Sequence, residues 1–342
     1  MTVGTVSAGK AGRREQGEGL LSRHRWLIPL GLVLLYFIIF SLLQPDVFLN
    51  PYNIKSLLLE YSIPVFVTIG MSIQLISGEI DLSVAHNVMF SNIFCGVMIM
   101  RGFPVVAAIL FTIAVSSFIG FLAGLIVAKV QVNSFIASRG FGQIFYSLGL
   151  ALYSYGSNRK NFLIPNVDLL HMSSEFKVIG QTELWGYQLP VYYALVLLIV
   201  FIVLIARTKF FKRYYFIGEN KEAARLSGIN VASMKITAFV ASAFLAALAG
   251  VIYAARMGVC SVTFGANMEM KAIAGCVIGG VSMRGGKGTI VGAALGALFL
   301  ICVNNGLRLT NVSSNYYRIV EGCILLIAVV ADARITQKKQ KV

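Results

Sequence analysis

The stretch Gly218-Glu-Asn-Lys-Glu-Ala-Ala-Arg-Leu-Ser-Gly-Ile-Asn230 is polar and charged, and it separates two long apolar segments of the chain. Its middle consists of good helix formers, and Gly228 supplies the positive-φ residue with which helices commonly end. Leu226 and Ile229 add apolar side chains that could enter a groove on a partner. The stretch therefore predicts a short helix that is presented to another protein.

The composition assigns the chain to the membrane proteins. Of its 342 residues, 57% are hydrophobic and only 13% are charged, whereas soluble domains carry about 25% charged residues. A helix needs roughly 20 mostly apolar residues to cross a bilayer. We predict an all-α polytopic membrane protein with about 8–10 transmembrane helices, some of them broken or re-entrant. The candidate segments are 26–43, 63–77, 84–100, 104–128, 136–155, 189–206, 236–256, 271–283, 289–304 and 319–332.

The net charge of +15 indicates topology. Lysine and arginine are enriched in cytoplasmic loops, and no aromatic or repetitive pattern accompanies the charge here to suggest a nucleic-acid partner. With both termini cytoplasmic, most of the basic residues fall on one side of the membrane. The predicted division is a disordered basic cytoplasmic tail (1–25), a transmembrane domain (26–333) with an external loop (156–188) and a cytoplasmic loop (207–235), and a basic cytoplasmic tail (334–342).

Two segments about 200 residues apart resemble each other. One is Ile76-Ser-Gly-Glu-Ile-Asp-Leu-Ser83, and the other is Ile278-Gly-Gly-Val-Ser-Met-Arg-Gly-Gly-Lys-Gly288. Each interrupts an apolar helix with glycines and a brief polar element. In transporters, broken helices at corresponding places of two related halves mark the translocation path. Irregular backbone at membrane depth is tolerated only where protein or a water-filled cavity surrounds it.

The sequence predicts no catalytic or metal site. Residues 4–11 have the spacing of an ATP-binding P-loop but end in Ala11, where Ser or Thr must reach Mg²⁺. The five cysteines form no Cys-x-x-Cys pair, and the three histidines are far apart in sequence. Any ATP must therefore be hydrolysed by another chain, with its Mg²⁺ bound there.

Four ionisable residues fall in or beside apolar segments, where charge is costly and usually paired or functional. They are Glu79, Asp81, Glu269 and Lys271. A hydrated pathway or ion coupling would explain them. Alternatively, Glu79 and Asp81 lie in a loop near the surface, with Asp81 capping the helix that begins near Ser83. We favour the capping role for Asp81 and leave the role of Glu79 open.

At this point a family resemblance is clear. From about residue 30 to 332, the chain resembles the ribose/xylose-type permease subunits of bacterial ATP-binding-cassette importers. The matching stretches are Ser77-Gly-Glu-Ile-Asp-Leu-Ser-Val84, 217–230, 246–252, Ala272-Ile-Ala-Gly-Cys-Val-Ile-Gly-Gly280, Gly285-Gly-Lys-Gly-Thr-Ile-Val-Gly292 and Asn304-Asn-Gly-Leu307.

The resemblance implies a multi-pass protein of the bacterial inner membrane. It would pair with a second permease copy, identical or related, and with a cytoplasmic ATPase. An extracytoplasmic binding protein would deliver a monosaccharide or similar small polar solute. The resemblance and the residue pattern together assign the ATPase-coupling loop to Glu222, Ala223, Ala224, Leu226, Gly228 and Ile229. The translocation-path motifs fall on Gly78, Glu79, Asp81, Ser83, Gly279, Gly280, Gly285, Gly286, Gly288, Asn304 and Asn305.

The chain departs from the family pattern at two positions. The resembling permeases usually have a glycine where Glu79 stands and another where Ala85 stands. Glu79 thus adds a carboxylate beside the expected pathway.

The leading hypothesis is a transport subunit that makes no bonds itself. The alternative is an ion-coupled secondary transporter or channel for a small polar solute, with Glu79 or Asp81 as the coupling site. A membrane-embedded enzyme or receptor is a weaker third hypothesis, because the sequence shows no clustered acid/base or metal site.

Overall fold

The structure is a computed structural model that describes residues 26–156, 170–313 and 316–340. The predicted tail 1–25 and much of the predicted external loop lie outside these ranges. The helices are α1 (Leu27–Leu43), α2 (Pro45–Phe48), α3 (Pro51–Ser62), α4 (Pro64–Ile76), α5 (Val84–Met100), α6 (Val105–Leu125, continued by a π-helical turn, Ile126–Val130), α7 (Ser134–Gly156), α8 (Ser174–Gln181), α9 (Leu189–Arg207), α10 (Lys209–Glu219), α11 (Lys221–Leu226), α12 (Val231–Met257), α13 (Met268–Ile278), α14 (Ile290–Leu309) and α15 (Tyr317–Gln340). Two antiparallel pairs of two-residue strands complete the described elements: β1 (Leu170–His171) with β4 (Val259–Cys260), and β2 (Glu183–Leu184) with β3 (Tyr187–Gln188).

The all-α polytopic class is confirmed. In the described ranges, four helices are individually long and apolar enough to span a membrane: α6 with its π-helical turn, α9, α12 and α14. Helices α3 and α4, bent by 41° at their junction, form a fifth candidate when taken together. The predicted number of 8–10 spans stays a prediction, because α4 and α13 have only 13 and 11 residues. Both are halves of the interrupted segments rather than complete spans.

Helix α12 is the centre of the molecule and packs against α4, α5, α6 and α8. Its alanines, such as Ala246 and Ala249, are fully buried, and they let neighbouring backbones approach closely. Gly120 and Gly124 of α6 lie directly against Phe239 of α12. Large apolar side chains on the outer helices are exposed instead, which fits contact with lipid tails; they include Leu42 of α1, Val106 of α6 and Val196 of α9.

Helices α13 and α14 form a hairpin joined by small residues. Gly279 faces Gly292, and Gly296 faces the carbonyl of Gly275, with no room for a side chain at either crossing. Small-xxx-small faces let membrane helices pack without a hydrophobic driving force. These glycine contacts therefore pack two helices of the same chain against each other.

The two helix breaks have the same geometry. After α4, Gly78 has φ +77°, and the N–H groups of Gly78 and Glu79 donate to Leu75 and Gln74. After α13, Gly280 has φ +81°, and the N–H groups of Gly280 and Val281 donate to Val277 and Cys276. Positive φ favours glycine. The glycines at the two breaks therefore produce the same type of helix ending in both places.

The hairpin packing predicts that Gly296→Ala destabilises the protein. The added methyl group would overlap the carbonyl oxygen of Gly275, and overpacking of this kind costs about 1–3 kcal/mol. Gly31→Ala of α1 is the matched control, because a Cβ there meets nothing within 4 Å. Thermal unfolding in detergent should show a lower midpoint for Gly296→Ala only. Equal midpoints for the two variants would contradict the packing described.

Candidate functional site

The two helix breaks meet at one end of the molecule. The N–H of Gly286, in the loop after α13, donates to the carbonyl of Ile76, the last residue of α4, over 2.9 Å. Gly218, near the end of α10, lies at this contact, and a Cβ on it would overlap Ile76 O and Gly286 N. We call Gly78, Gly218, Gly285 and Gly286 the glycine junction. It joins α10 to both breaks at once.

Hydrogen bonds hold the flanks of the glycine junction in place. Tyr215 of α10 donates its hydroxyl to the carbonyl of Gly288 over 3.0 Å. Across the first loop, Ser134 Oγ accepts from the N–H of Ile80 (3.2 Å), and Ser138 Oγ accepts from that of Leu82 (3.0 Å). The first loop is thus fixed to α7, and the second loop is fixed to α10.

Helix α11 begins at Lys221, three residues after Gly218 of the junction. The side chain of Asn220 accepts from the N–H of Ala223 over 3.0 Å, as N-cap residues do. Gly228 has φ +80° and ends the helix. The predicted short helix and its glycine stop are therefore present, with Lys221 as the first helical residue.

The six residues predicted to face a partner do not all point outward. Glu222, Ala223 and Gly228 are exposed, and Leu226 is 88% exposed. Ala224, by contrast, is buried at 3% exposure, and Ile229 is half-buried against the core. Ala224 and Ile229 lie on the side of α11 that packs on the membrane domain, and the assignment of all six residues to the ATPase-coupling loop stays a prediction.

Glu79 lies beside α11 and is buried at 5% exposure. Its Oε1 is 2.9 Å from Lys221 Nζ and 2.7 Å from Lys235 Nζ. Burial by itself raises the pKa of this carboxyl, but hydrogen bonds from Lys235, Ser134 and Lys221 outweigh it and hold its pKa below the usual value. The carboxylate lines a cleft of about 850 Å³ between α11, the π-helical turn and the start of α12.

Asp81 is more deeply buried, at 1% exposure. Its Oδ1 accepts from the N–H and the hydroxyl of Ser83 over 2.9 and 2.6 Å, and its Oδ2 accepts from the Ser242 hydroxyl over 2.8 Å. Asp81 therefore binds Ser83, the residue before α5, and fixes it to α12, although no side chain caps the first turn of α5 itself. Both carboxylates are buried, but Glu79 also lines the cleft beside the exposed α11.

Asn304 and Asn305 lie away from the junction. Helix α14 starts after the second break, and at about 1.5 Å per residue its end is about 20 Å or more distant. Asn304 donates to Glu321 of α15 over 2.7 Å, and Asn305 accepts from the Tyr36 hydroxyl over 2.8 Å. Asn304 lines an outer cleft of about 330 Å³ whose ionic lining is Glu60, Lys271, Arg308, Arg318 and Glu321.

The sequence analysis missed the side chains that surround these glycines and asparagines. No sequence motif marks Lys235, Ser134 or Tyr215. What they share is that each lies at the end of an apolar segment, on the side of the molecule where α11 lies. At the outer cleft, the ion pairs Lys271–Glu321 and Arg308–Glu60 (2.9 and 2.6 Å) join residues far apart in sequence. Within the described residues, no three His, Cys, Asp or Glu side chains form a group that could hold a metal ion.

Comparison with known proteins gives the family. A family model described as the permease component of branched-chain amino acid transport systems matches residues 53–329. The chain belongs to this permease family. The permease is 34% identical over 305 residues to the ribose import permease protein RbsC of Bacillus subtilis, covering 89% of this chain and 91% of the relative. It is 33% identical over 332 residues to RbsC of Escherichia coli (strain K12), covering 97% and 99%. It is 33% identical over 306 residues to the L-arabinose ABC transporter permease protein AraH of Azospirillum brasilense, covering 88% and 86%.

These relatives confirm the resemblance on which the sequence analysis relied. The permease is a membrane subunit of an ATP-binding-cassette transporter and not an enzyme, and this type of transporter implies a separate ATPase and a solute-binding protein. No solved structure matches the chain.

The glycine junction predicts that Gly218→Ala is damaging. A methyl group there would push Ile76 and Gly286 apart, at a cost of about 1–3 kcal/mol. Gly140→Ala of α7 is the control, since its added Cβ meets no neighbour within 4 Å. The thermal midpoint of the purified permease should fall for Gly218→Ala and not for Gly140→Ala. A midpoint of Gly218→Ala equal to that of the wild type would show that the junction is not tightly packed.

Proposed function

We propose that this permease moves a monosaccharide, or a similar small polar solute, into the cytoplasm across the bacterial inner membrane, driven by ATP hydrolysis on a separate ATPase. The observation that carries the proposal is the position of α11. The helix is exposed on its outer side, and it comes shortly after Gly218 in sequence, the residue that lies against both helix breaks.

This position gives α11 a mechanical role. An ATPase that binds Glu222, Ala223, Leu226 and Gly228 would displace α11 when it closes on ATP. Because α10 and α11 are joined at Asn220, the displacement would reach Gly218 and, through it, the loops after α4 and α13. Rocking of the two halves around a fixed site would then give alternating access. ATP and Mg²⁺ would be bound by the ATPase.

The charge distribution supports the cytoplasmic side for α11. The predicted cytoplasmic loop 207–235 holds seven lysines and arginines, and cytoplasmic loops are enriched in these residues. Tyr36, in the second half of α1, contacts Asn305 at the opposite end, so α1 begins on the side of α11. Helix α15 starts beside the outer cleft and runs toward the side of α11. Both termini are thus assigned to the cytoplasm.

Two observations support a sugar as the solute. The relatives cited above are named as ribose and L-arabinose permeases, although the family description refers to branched-chain amino acids. The outer cleft presents mainly hydrogen-bonding groups, including the amide of Asn304, whereas a branched aliphatic side chain requires an apolar pocket. We assign the cleft as the place where the binding protein releases the solute.

An uptake panel tests the solute assignment. Proteoliposomes would contain two permease copies, either identical or related, together with the ATPase and the binding protein. ATP-driven uptake of labelled ribose, xylose, L-arabinose or galactose, with none of leucine, is the expected result. Uptake of leucine alone would overturn the sugar assignment. Uptake driven by an ion gradient without an ATPase would replace the importer by the secondary transporter.

Glu222→Lys tests the role of α11. The side chain is exposed, so the variant should fold and insert normally while reversing a charge on the surface offered to the ATPase. Uptake should fall by at least about 5-fold, the lower range of coupling between linked sites. Glu183→Lys, an equally exposed reversal on the opposite side, should leave uptake unchanged. Normal uptake by Glu222→Lys would remove α11 from the coupling mechanism.

A further inference from the structure

The carboxylate of Glu79 connects three separate elements. It lies in the loop after α4, and its Oε1 binds Lys221, the first residue of α11, and Lys235, near the start of α12. The two lysines therefore flank the exposed helix in sequence, and both hold the same oxygen. The pairs are short, and Glu79 and Lys235 have side-chain exposures of only 6% and 15%.

At the second break, the position equivalent to Glu79 is apolar. Because the two helix endings share one hydrogen-bond pattern, Glu79 corresponds to Val281, which is fully buried and apolar. The loop around Val281 is instead tied to α10 by backbone contact at Gly218 and by the Tyr215 hydroxyl. The connection through Glu79 is thus confined to the first break, and it occupies a position where the resembling permeases usually have glycine.

A buried carboxylate is costly to separate from its cations, because Glu79, at 6% side-chain exposure, and Lys235, at 15%, would lose their partner while largely shielded from water. Lys221 is half-exposed and contributes less to this cost. When α11 and the start of α12 shift, the first loop must follow or lose both ion pairs. Serines 134 and 138 hold the other edge of the same loop to α7. A pull on the loop is therefore passed to α7 as well.

We propose that Glu79 is a positioning residue for transport, which passes the movement of α11 into the first helix break through Lys221 and Lys235. This inference rests on the proposed role of α11 as the site of ATPase contact. Glu79 contacts neither the ATPase nor the solute in this role. Glu79 determines what fraction of the movement of the ATPase is converted into opening of the permease.

The test is the amount of solute imported per ATP hydrolysed by the complete reconstituted complex, with the sugar selected by the uptake panel as probe. Glu79→Gln keeps the shape of the side chain and removes its charge. We expect the ratio to fall by about 5-fold or more, as for loss of coupling between linked sites, while the ATPase stays bound and active. Glu183→Gln, on an exposed residue of the opposite side, is the matched control and should keep the wild-type ratio.

A double-mutant cycle separates this role from simple stabilisation. In a background with Lys221→Gln and Lys235→Gln, adding Glu79→Gln should change the ratio by no more than about 2-fold, the scatter of non-interacting sites. A full effect in that background, or a wild-type ratio for Glu79→Gln alone, would overturn the proposal. If Glu79→Gln does not insert, Glu79→Gly serves instead, and a wild-type ratio for that variant would equally overturn it.

Failure of the underlying function has a different signature. If the wild-type permease binds no ATPase or imports no sugar with ATP, the proposed function fails before any Glu79 variant is compared. If wild-type import is normal and Glu222→Lys abolishes it while Glu79→Gln leaves the ratio intact, only the role of Glu79 is lost.

Discussion

The close approach of backbone at the glycine junction is the constraint on which the rest of the structure depends. Two interrupted helices end there, and the N–H of Gly286 reaches the carbonyl of Ile76 only because Gly218 has no side chain between them. Buried backbone groups must find partners, and at a helix break several are released at once. Some of these groups are paired by the hydrogen bond between the two breaks, and α10 is held in the same contact. The two helices can thus be interrupted side by side while these backbone groups remain paired.

The local features of this arrangement could be predicted from the sequence. Asn220, the helix formers after it and Gly228 define α11 without help from distant residues. Glycines at both breaks mark the helix endings, since a positive φ is readily adopted only without a Cβ. Asp81 and Ser83 likewise identify the start of α5. These signals are short-range, so no knowledge of the packing is required to recognise them.

The long-range features could not be predicted in this way. Nothing near Lys235 in sequence indicates that it meets Glu79, 156 positions earlier, and charge counting placed Lys235 only among topology signals. The burial of Ala224 follows from which side of α11 rests on the membrane domain, which a six-residue helix does not encode by periodicity. The number of spans could not be predicted from the sequence for a related reason. Half-helices such as α13 are apolar enough to resemble spans, but their length becomes meaningful only when the break beside them is known.

The two breaks differ in how firmly their helices are held, and this difference bears on where movement can occur. Helices α13 and α14 are locked to each other through Gly279, Gly292 and Gly296, where close packing admits no gradual sliding. Helices α4 and α5 make few contacts with each other: both pack on α12, and α4 also packs on α13 and α14. Packed interfaces switch between discrete arrangements rather than deform continuously. A displacement of α11 would therefore move the α13–α14 hairpin as one body but could change the angle between α4 and α5. In the proposed mechanism the first break is therefore the hinge, and its loop carries the ion pairs to the start of α11 and to α12.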